Sequence, residues 1–368
     1  MSRRKKKYIN RQKHRIEKRN AFLRDFDCFE NVCSFSALYR AAEEAANGVR
    51  WKASVQRYLL NNVINSVRAG NDLRRHKNPC KGFICFDICE RGKLRHIRSV
   101  HFSERVIQKS LCKNALYPIL THNLIYDNGA SQKYKGTAFA LSRLQKHLEQ
   151  HYRKFGNSGF VLLIDFKSYF DNINHEVLKK YYRKYIKDEN LLWLTDLFVD
   201  AFGKKGLGLG SETSQIHAIA YPNEIDHFIK DQCGVKAYGR YMDDSYIISD
   251  SKEYLEQILT QLRRKFEQLH ITVSPKKTHI TDLRHGFCFL KTRFFLTDSG
   301  KIIKKPCRKS VTAERRRIKK QSKLIDAGIM SADEAMISFV SWRGSMKGRH
   351  AAKTIYNMVQ LLRKVLKI

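Results

Sequence analysis

The spacing of apolar positions changes several times along the chain, and each change marks a different element. From residue 26 to residue 151 it is mainly helical, broken by strand-like Gly82–Cys89 and Leu94–Val100 with Gly92 between them. That pattern predicts a hairpin flanked by helices. A helix is expected over Ser103–Leu120, where Val106, Ile107, Leu111 and Leu116 make one apolar stripe. Gly159–Ile164 reads as a short buried strand ending at Asp165, and Glu176–Phe202 returns to helical spacing. The glycine-rich stretch Gly206, Gly208 and Gly210 precedes a helix candidate, Ser214–Lys230. Val235–Ser249 then reads as two strands around Met242-Asp243-Asp244, which sets two acids at a turn. A helix follows over Glu253–Leu269, then strand-like Ile271–Ser274 and Gly286–Phe295. Basic helical segments are expected from about Thr312 to Ala327 and again from Ser331 and from Lys353 onward.

Composition narrows the partner class. The 368 residues allow two or three compact units, and 42% hydrophobic residues suffice to build their cores. Lysine and arginine outnumber acids 71 to 35, a formal charge of +36, so a polyanion is expected and nucleic acid leads. No run of about 18 apolar residues occurs, and the N-terminus lacks the apolar core of a signal peptide. The expectation is a cytoplasmic protein without a membrane partner. The first 25 residues are densely basic and read as an arm, either solvated or gripping RNA. Nine scattered cysteines fit reduced thiols. The group Cys80, Cys85 and Cys89 lacks paired zinc-site spacing and reads as structural.

The acids carry the chemistry. Two adjacent aspartates in a turn are by themselves commonly a solvated loop. Here strand-like residues flank Asp243-Asp244 on both sides, and another acid ends the buried run Val161-Leu162-Leu163-Ile164-Asp165. Neighbouring strands lie about 4.8 Å apart, so the three carboxylates can converge. Nucleotidyl transfer needs charge neutralised on the attacking 3′ oxygen and the departing pyrophosphate, which two metal ions supply. Hard oxygen ligands select Mg2+, with Mn2+ as a substitute.

Tyr241-Met242-Asp243-Asp244 looks like the YxDD box of reverse transcriptases, and Asp165-Phe166-Lys167-Ser168-Tyr169-Phe170-Asp171-Asn172-Ile173 resembles their first catalytic box, in family order. The resemblance runs from about Arg91 to about Lys291. It implies an α+β right-hand polymerase with fingers, palm and helical thumb. The expected boundaries are residues 1–25 for the arm, 26–300 for fingers and palm, and 301–368 for the thumb. It also implies that Asp165, Asp243 and Asp244 are catalytic and hold metal, with Phe166 lending its backbone carbonyl and keeping its ring in the core. Phe170 stands at the position of the gate against a ribose 2′-OH. Lys93 and Arg95 match the basic fingers pair that binds triphosphate, Lys277 lies in the lysine-bearing loop after the palm helix, and Arg105 begins the following fingers helix. Each lysine or arginine has an alternative as a solvated cation or a plain phosphate-backbone contact.

Two departures stand out. Gly206-Leu207-Gly208-Leu209-Gly210 followed by Ser214-Gln215 has Leu209 where many members carry glutamine, an arrangement similar to the reverse transcriptases of diversity-generating retroelements. In that group an aliphatic residue there accompanies error-prone copying of template adenine. Leu209, Gly210 and Gln215 are thus expected at the nucleotide. Phe289-Leu290-Lys291-Thr292 resembles the primer-grip hairpin but has Lys291 where glycine is usual. Lys291, with Arg315, Arg316 and Arg317 of the basic thumb, is expected to contact nucleic acid, while Trp342 is expected in the core. Implied partners are an RNA template, a DNA or RNA primer, dNTPs and a small accessory protein. Alternatives are a defence-associated or phage-encoded enzyme copying a dedicated non-coding RNA, and a non-catalytic RNA-binding protein.

Overall fold

The computed structural model describes His14, residues 17–90 and residues 93–366, with backbone alone at Glu90 and Lys93. The basic run from Arg3 to Lys13 lies outside the described residues, and a helix occupies residues 17–26. The chain divides into two compact units. One comprises Met1–Tyr134, Phe166–Gln232 and Leu262–Val273, the other Lys135–Asp165, Cys233–Gln261 and Ser274–Ile368. Among the described residues no helix is long and apolar enough to cross a membrane.

The first unit is mostly helical and carries the expected hairpin. Strand β1 (Phe83–Glu90) pairs antiparallel with β2 (Lys93–Val100), Phe83 opposite Val100 and Glu90 opposite Lys93. Cys85 and Cys89 are exposed on β1, and Cys80 just before it is half-buried. The stripe Val106, Ile107, Leu111 and Leu116 is buried, but its helix is not uniform. Phe102–Leu111 passes through a π-helical turn, Cys112–Leu116, into Tyr117–Thr121, with Pro118 in the first turn of that last piece. Pro118 has no N–H to give to the preceding turn, and the widened π-helical turn just before it is where the helix departs from regular α geometry.

Two other expected helices are broken. Glu176–Phe202 resolves into His175–Tyr182 and Glu189–Asp200. The second restarts where the Asp188 carboxylate accepts from the N–H groups of Asn190 and Leu191, an N-cap. Ser214–Lys230 resolves into Glu212–Ala220, Asn223–His227 and the π-helical Phe228–Gln232, with the first break at Pro222. Ile271–Ser274 is not a strand. It contributes one isolated bridge, Val273 to Phe166, while the ring of Phe166 packs on Tyr169 and Phe266.

The second unit is built on a sheet. Strands β3 (Phe160–Asp165), β4 (Tyr238–Tyr241), β5 (Asp244–Ser249) and β6 (His279–Asp282) are ordered β4-β5-β3-β6, all antiparallel. The helix Thr137–Phe155 lays Ala140, Leu144 and Leu148 over Val161, Leu163, Tyr246 and Ile248. A smaller sheet, β7 (Phe287–Phe289), β8 (Thr292–Leu296) and β9 (Ile302–Pro306), adds Phe287, Phe289, Phe294 and Leu296 to the same core. Helices Arg308–Asp326, Ala332–Gly344 and Ala352–Leu366 follow, with their own core of Ile318, Phe339, Trp342, Met346, Met358 and Leu362. Ser331 and Glu334 form a reciprocal capping box at the start of the middle helix.

Candidate active site

Register alone brings the acids of the second unit together. β3 and β5 pair from Phe160–Ser249 to Asp165–Asp244, so the last residue of one strand faces the first residue of the other. Tyr241 pairs with Asp244, leaving Met242-Asp243 as a two-residue loop in which Met242 takes φ 55°. Such loops match strand twist when φ is positive, a conformation that costs a non-glycine residue about 1 kcal/mol. Two features that sequence reading missed hold this geometry. Arg240, almost fully buried on β4, donates from Nη1 to the Met242 carbonyl at 3.1 Å. On the other side the Thr278 hydroxyl accepts from the Asp165 N–H at 3.3 Å, and the Asp165 carbonyl accepts from Ser274 N–H at 2.8 Å. An arginine inside a strand of buried residues was the available signal for Arg240.

The electrostatics follow from this crowding. Burial, then the like charges of Asp243 and Asp165 and a hydrogen bond to Asp165, push the Asp244 carboxyl up to about 7. Lys277 Nζ donates to Asp165 Oδ2 at 2.7 Å, and that hydrogen bond holds the ammonium above its ordinary range. Among the described residues no set of three His, Cys, Asp or Glu side chains already forms a metal cage. The donor set nevertheless suits hard divalent cations. It offers only carboxylate oxygens, and their mutual repulsion is what a cation relieves.

The first unit holds most residues expected at the nucleotide. Arg95 lies on β2 opposite Ile88, while the Lys93 side chain is outside the described residues. Phe170, half-buried in the short helix Tyr169–Asn172, packs edge-on against Tyr169, and its carbonyl accepts from Leu207 N–H at 2.7 Å. The glycine segment needs its glycines. At Gly206 (φ 83°) an added Cβ would sit 2.8 Å from the Asp171 carbonyl oxygen, and at Gly208 it would sit 2.2 Å from the Phe202 ring. Gly210 (φ 108°) lies beside Ile97 and Arg98, so this segment joins the hairpin to the backbone at Phe170. Leu209 is half-buried, and Gln215 is exposed with Oε1 accepting from Ser131 at 3.2 Å. Arg105 reaches Ser99 Oγ at 3.5 Å.

Back in the second unit, Lys291 is exposed in the β7–β8 turn. Arg315 and Arg316 are exposed on helix Arg308–Asp326, but Arg317 donates to Glu314 Oε1 at 2.7 Å and to the Ser338 carbonyl at 2.9 Å.

A family model described as reverse transcriptase (RNA-dependent DNA polymerase) matches residues 76–311. The chain belongs to the reverse transcriptase family. Its fold is accordingly the α+β right-hand polymerase, and the match spans the strand-end acid, the acid turn and the lysine loop. No curated protein matches the sequence. Among solved structures, telomerase from Candida albicans in complex with a fragment of telomeric RNA is similar over 84% of this chain. That likeness has 13% identity, a TM-score of 0.49 and 65% coverage of the telomerase chain. Apo telomerase from Candida tropicalis, truncated from its C-terminal domain, is similar over 60% of this chain at 14% identity, TM-score 0.47 and 54% coverage. The chain therefore spans about half to two thirds of those telomerase chains.

Proposed function

We propose that this reverse transcriptase is an RNA-directed DNA polymerase that adds deoxynucleotides to a 3′ end with Mg2+ as cofactor. The observation that carries the reading is the Asp165–Asp244 pairing beside the Asp243 turn and Lys277 in a chain of this family. Asp165, Asp243 and Asp244, with the Phe166 carbonyl, would hold two divalent ions, which supply charge neutralisation at the attacking and leaving oxygens. The primer 3′ oxygen attacks the α-phosphorus, the bond to the β-phosphate breaks, and pyrophosphate leaves. Lys277, kept protonated by its acidic neighbours, donates from Nζ to the departing pyrophosphate.

The remaining roles follow the family resemblance. Lys93 and Arg95 take triphosphate oxygens, and Phe170 excludes a ribose 2′-OH. Gly210 and Gln215 line the base-pair side. Leu209 supplies no hydrogen bond where a glutamine would, which supports low fidelity at template adenine and a place in a diversity-generating retroelement with a small accessory protein. Arg105, Lys291 and the basic helices of residues 301–368, the thumb, track the RNA template and DNA or RNA primer through their backbones.

The test is extension of a DNA primer on a heteropolymeric RNA with Mg2+ and all four dNTPs, followed by product sequencing. Wild type should make cDNA, and Asp243→Ala should lose at least about 1000-fold in rate at unchanged RNA affinity, a loss of about 4 kcal/mol of barrier lowering. A variant that still polymerises would overturn the acid assignment. Equal misincorporation at all four template bases would remove the adenine-specific reading and leave polymerase activity standing.

A further inference from the structure

Two cysteines of the second unit, 19 positions apart, meet outside the acid cluster. Cys288 is exposed in the middle of β7, and Cys307 is the residue immediately before helix Arg308–Asp326. Their Sγ atoms are 2.7 Å apart, with the Cys307 thiol donating, closer than two unbonded sulfurs sit in ordinary contact. Cys288 pairs with Arg293 of β8, and Cys307 directly follows Pro306, the last paired residue of β9, so each cysteine is carried by a strand hydrogen-bonded to β8. Cys307 is further fixed by its N–H, which donates to the Lys291 carbonyl at 3.2 Å.

We propose that Cys288 and Cys307 are a reversible oxidation site, closing a disulfide between β7 and the start of helix Arg308–Asp326 by exchange with a low-molecular-weight disulfide such as oxidised glutathione. Cys288 is the attacking group because it is the exposed one. The hydrogen bond from Cys307, then the cations Arg293 and Lys309, bring its thiol down to about 7, whereas the same bond and burial push Cys307 up. Cys288 sulfur attacks one glutathione sulfur and expels a glutathione thiolate. Cys307 sulfur then attacks Cys288 of the mixed disulfide and expels the second glutathione. Two protein thiols lose two electrons and two protons, and one glutathione disulfide becomes two thiols. The product ties the first turn of the basic helix to the sheet, so the loop between the two cysteines no longer adds chain freedom on unfolding.

The full chain is equilibrated in glutathione buffers of graded oxidised-to-reduced ratio, alkylated, and mapped without reduction. The expected result is loss of two thiols together and a cross-linked pair of peptides carrying Cys288 and Cys307. The melting temperature should rise by several degrees in the oxidised wild type, and neither Cys288→Ser nor Cys307→Ser should show that rise. In Cys307→Ser the remaining Cys288 should stop at the glutathione adduct. Glutathione retained on Cys288 in the wild type, or cross-links that never join Cys288 to Cys307, would overturn the proposal. The peptide map of the wild type decides the matter even where a serine variant folds poorly. It does so independently of polymerase activity.

Discussion

Arg240 is buried on β4 and bonds the carbonyl of the residue before Asp243, so a cation inside the sheet fixes the acid turn from beneath. A second buried titratable group sets acid sensitivity in the first unit. His217 is enclosed on Glu212–Ala220 against Tyr182, and burial, then the neighbouring His175, push its imidazole down to about 4. A folded-state value below the unfolded one of about 6.5 means that the folded chain binds fewer protons there. The stability from a neutral His217 is therefore complete above pH 6.5 and lost as pH falls toward 4, up to about 3 kcal/mol. Urea midpoints measured from pH 7 to pH 4 should fall less steeply for His217→Leu, and equal slopes would refute the assignment. Leu209 makes a prediction of a different kind. If its missing hydrogen bond loosens selection, Leu209→Gln should lower errors opposite template adenine about tenfold while changing those opposite other bases far less. Sequenced products of the two enzymes decide it.

The β7–β8 turn combines strain with candidate binding. Phe289 pairs with Thr292, so Leu290 and Lys291 form a two-residue loop, and both have positive φ, 45° and 60°. Such a turn favours Asn-Gly, and left-handed backbone costs a branched or long side chain about 1 kcal/mol. Lys291→Gly should raise stability by about 1 kcal/mol in denaturant melts while weakening primer binding. Reduced stability would mean that the lysine's own interactions outweigh the backbone cost. The turn also illustrates what the sequence discloses. β3, the β1–β2 hairpin and the acid turn were legible because their apolar runs are continuous or alternate cleanly between turn residues. β6 was not, because His279-Ile280-Thr281-Asp282 carries one large apolar residue and pairs with β3 only through backbone groups. β9 hid for a related reason, its Lys304 and Lys305 reading as the start of the basic tail. The helix breaks at Asp188 and Pro222 carried local capping and breaking signals that the helical period overrode. In the site, strand-end and turn positions of the acids were visible in the pattern. The supports from Arg240 and Thr278 were not, since they depend on contacts between residues distant in sequence.

A formal charge of +36 over the whole chain makes affinity for a nucleic acid, such as the proposed template-primer duplex, a strong function of salt, because each phosphate neutralised releases condensed counterion. Which cations contribute depends on what else holds them. Arg315 and Arg316 are exposed, so replacing both with glutamine should reduce the slope of log affinity against log salt by about 2 and weaken binding to any sequence alike. Arg317 belongs to the same basic run yet is tied to buried Glu314 and to the Ser338 carbonyl between helices Arg308–Asp326 and Ala332–Gly344. Arg317→Gln should therefore leave the slope nearly unchanged and cost about 2 kcal/mol of stability instead. Anisotropy titrations from 50 to 200 mM salt, a range over which such contacts vary widely, together with a denaturant melt, separate the two outcomes. A slope that drops equally for all three arginines would mean that Arg317 leaves Glu314 when nucleic acid binds. The helix pair would then exchange an internal ion pair for a phosphate, and binding and thumb stability would be coupled.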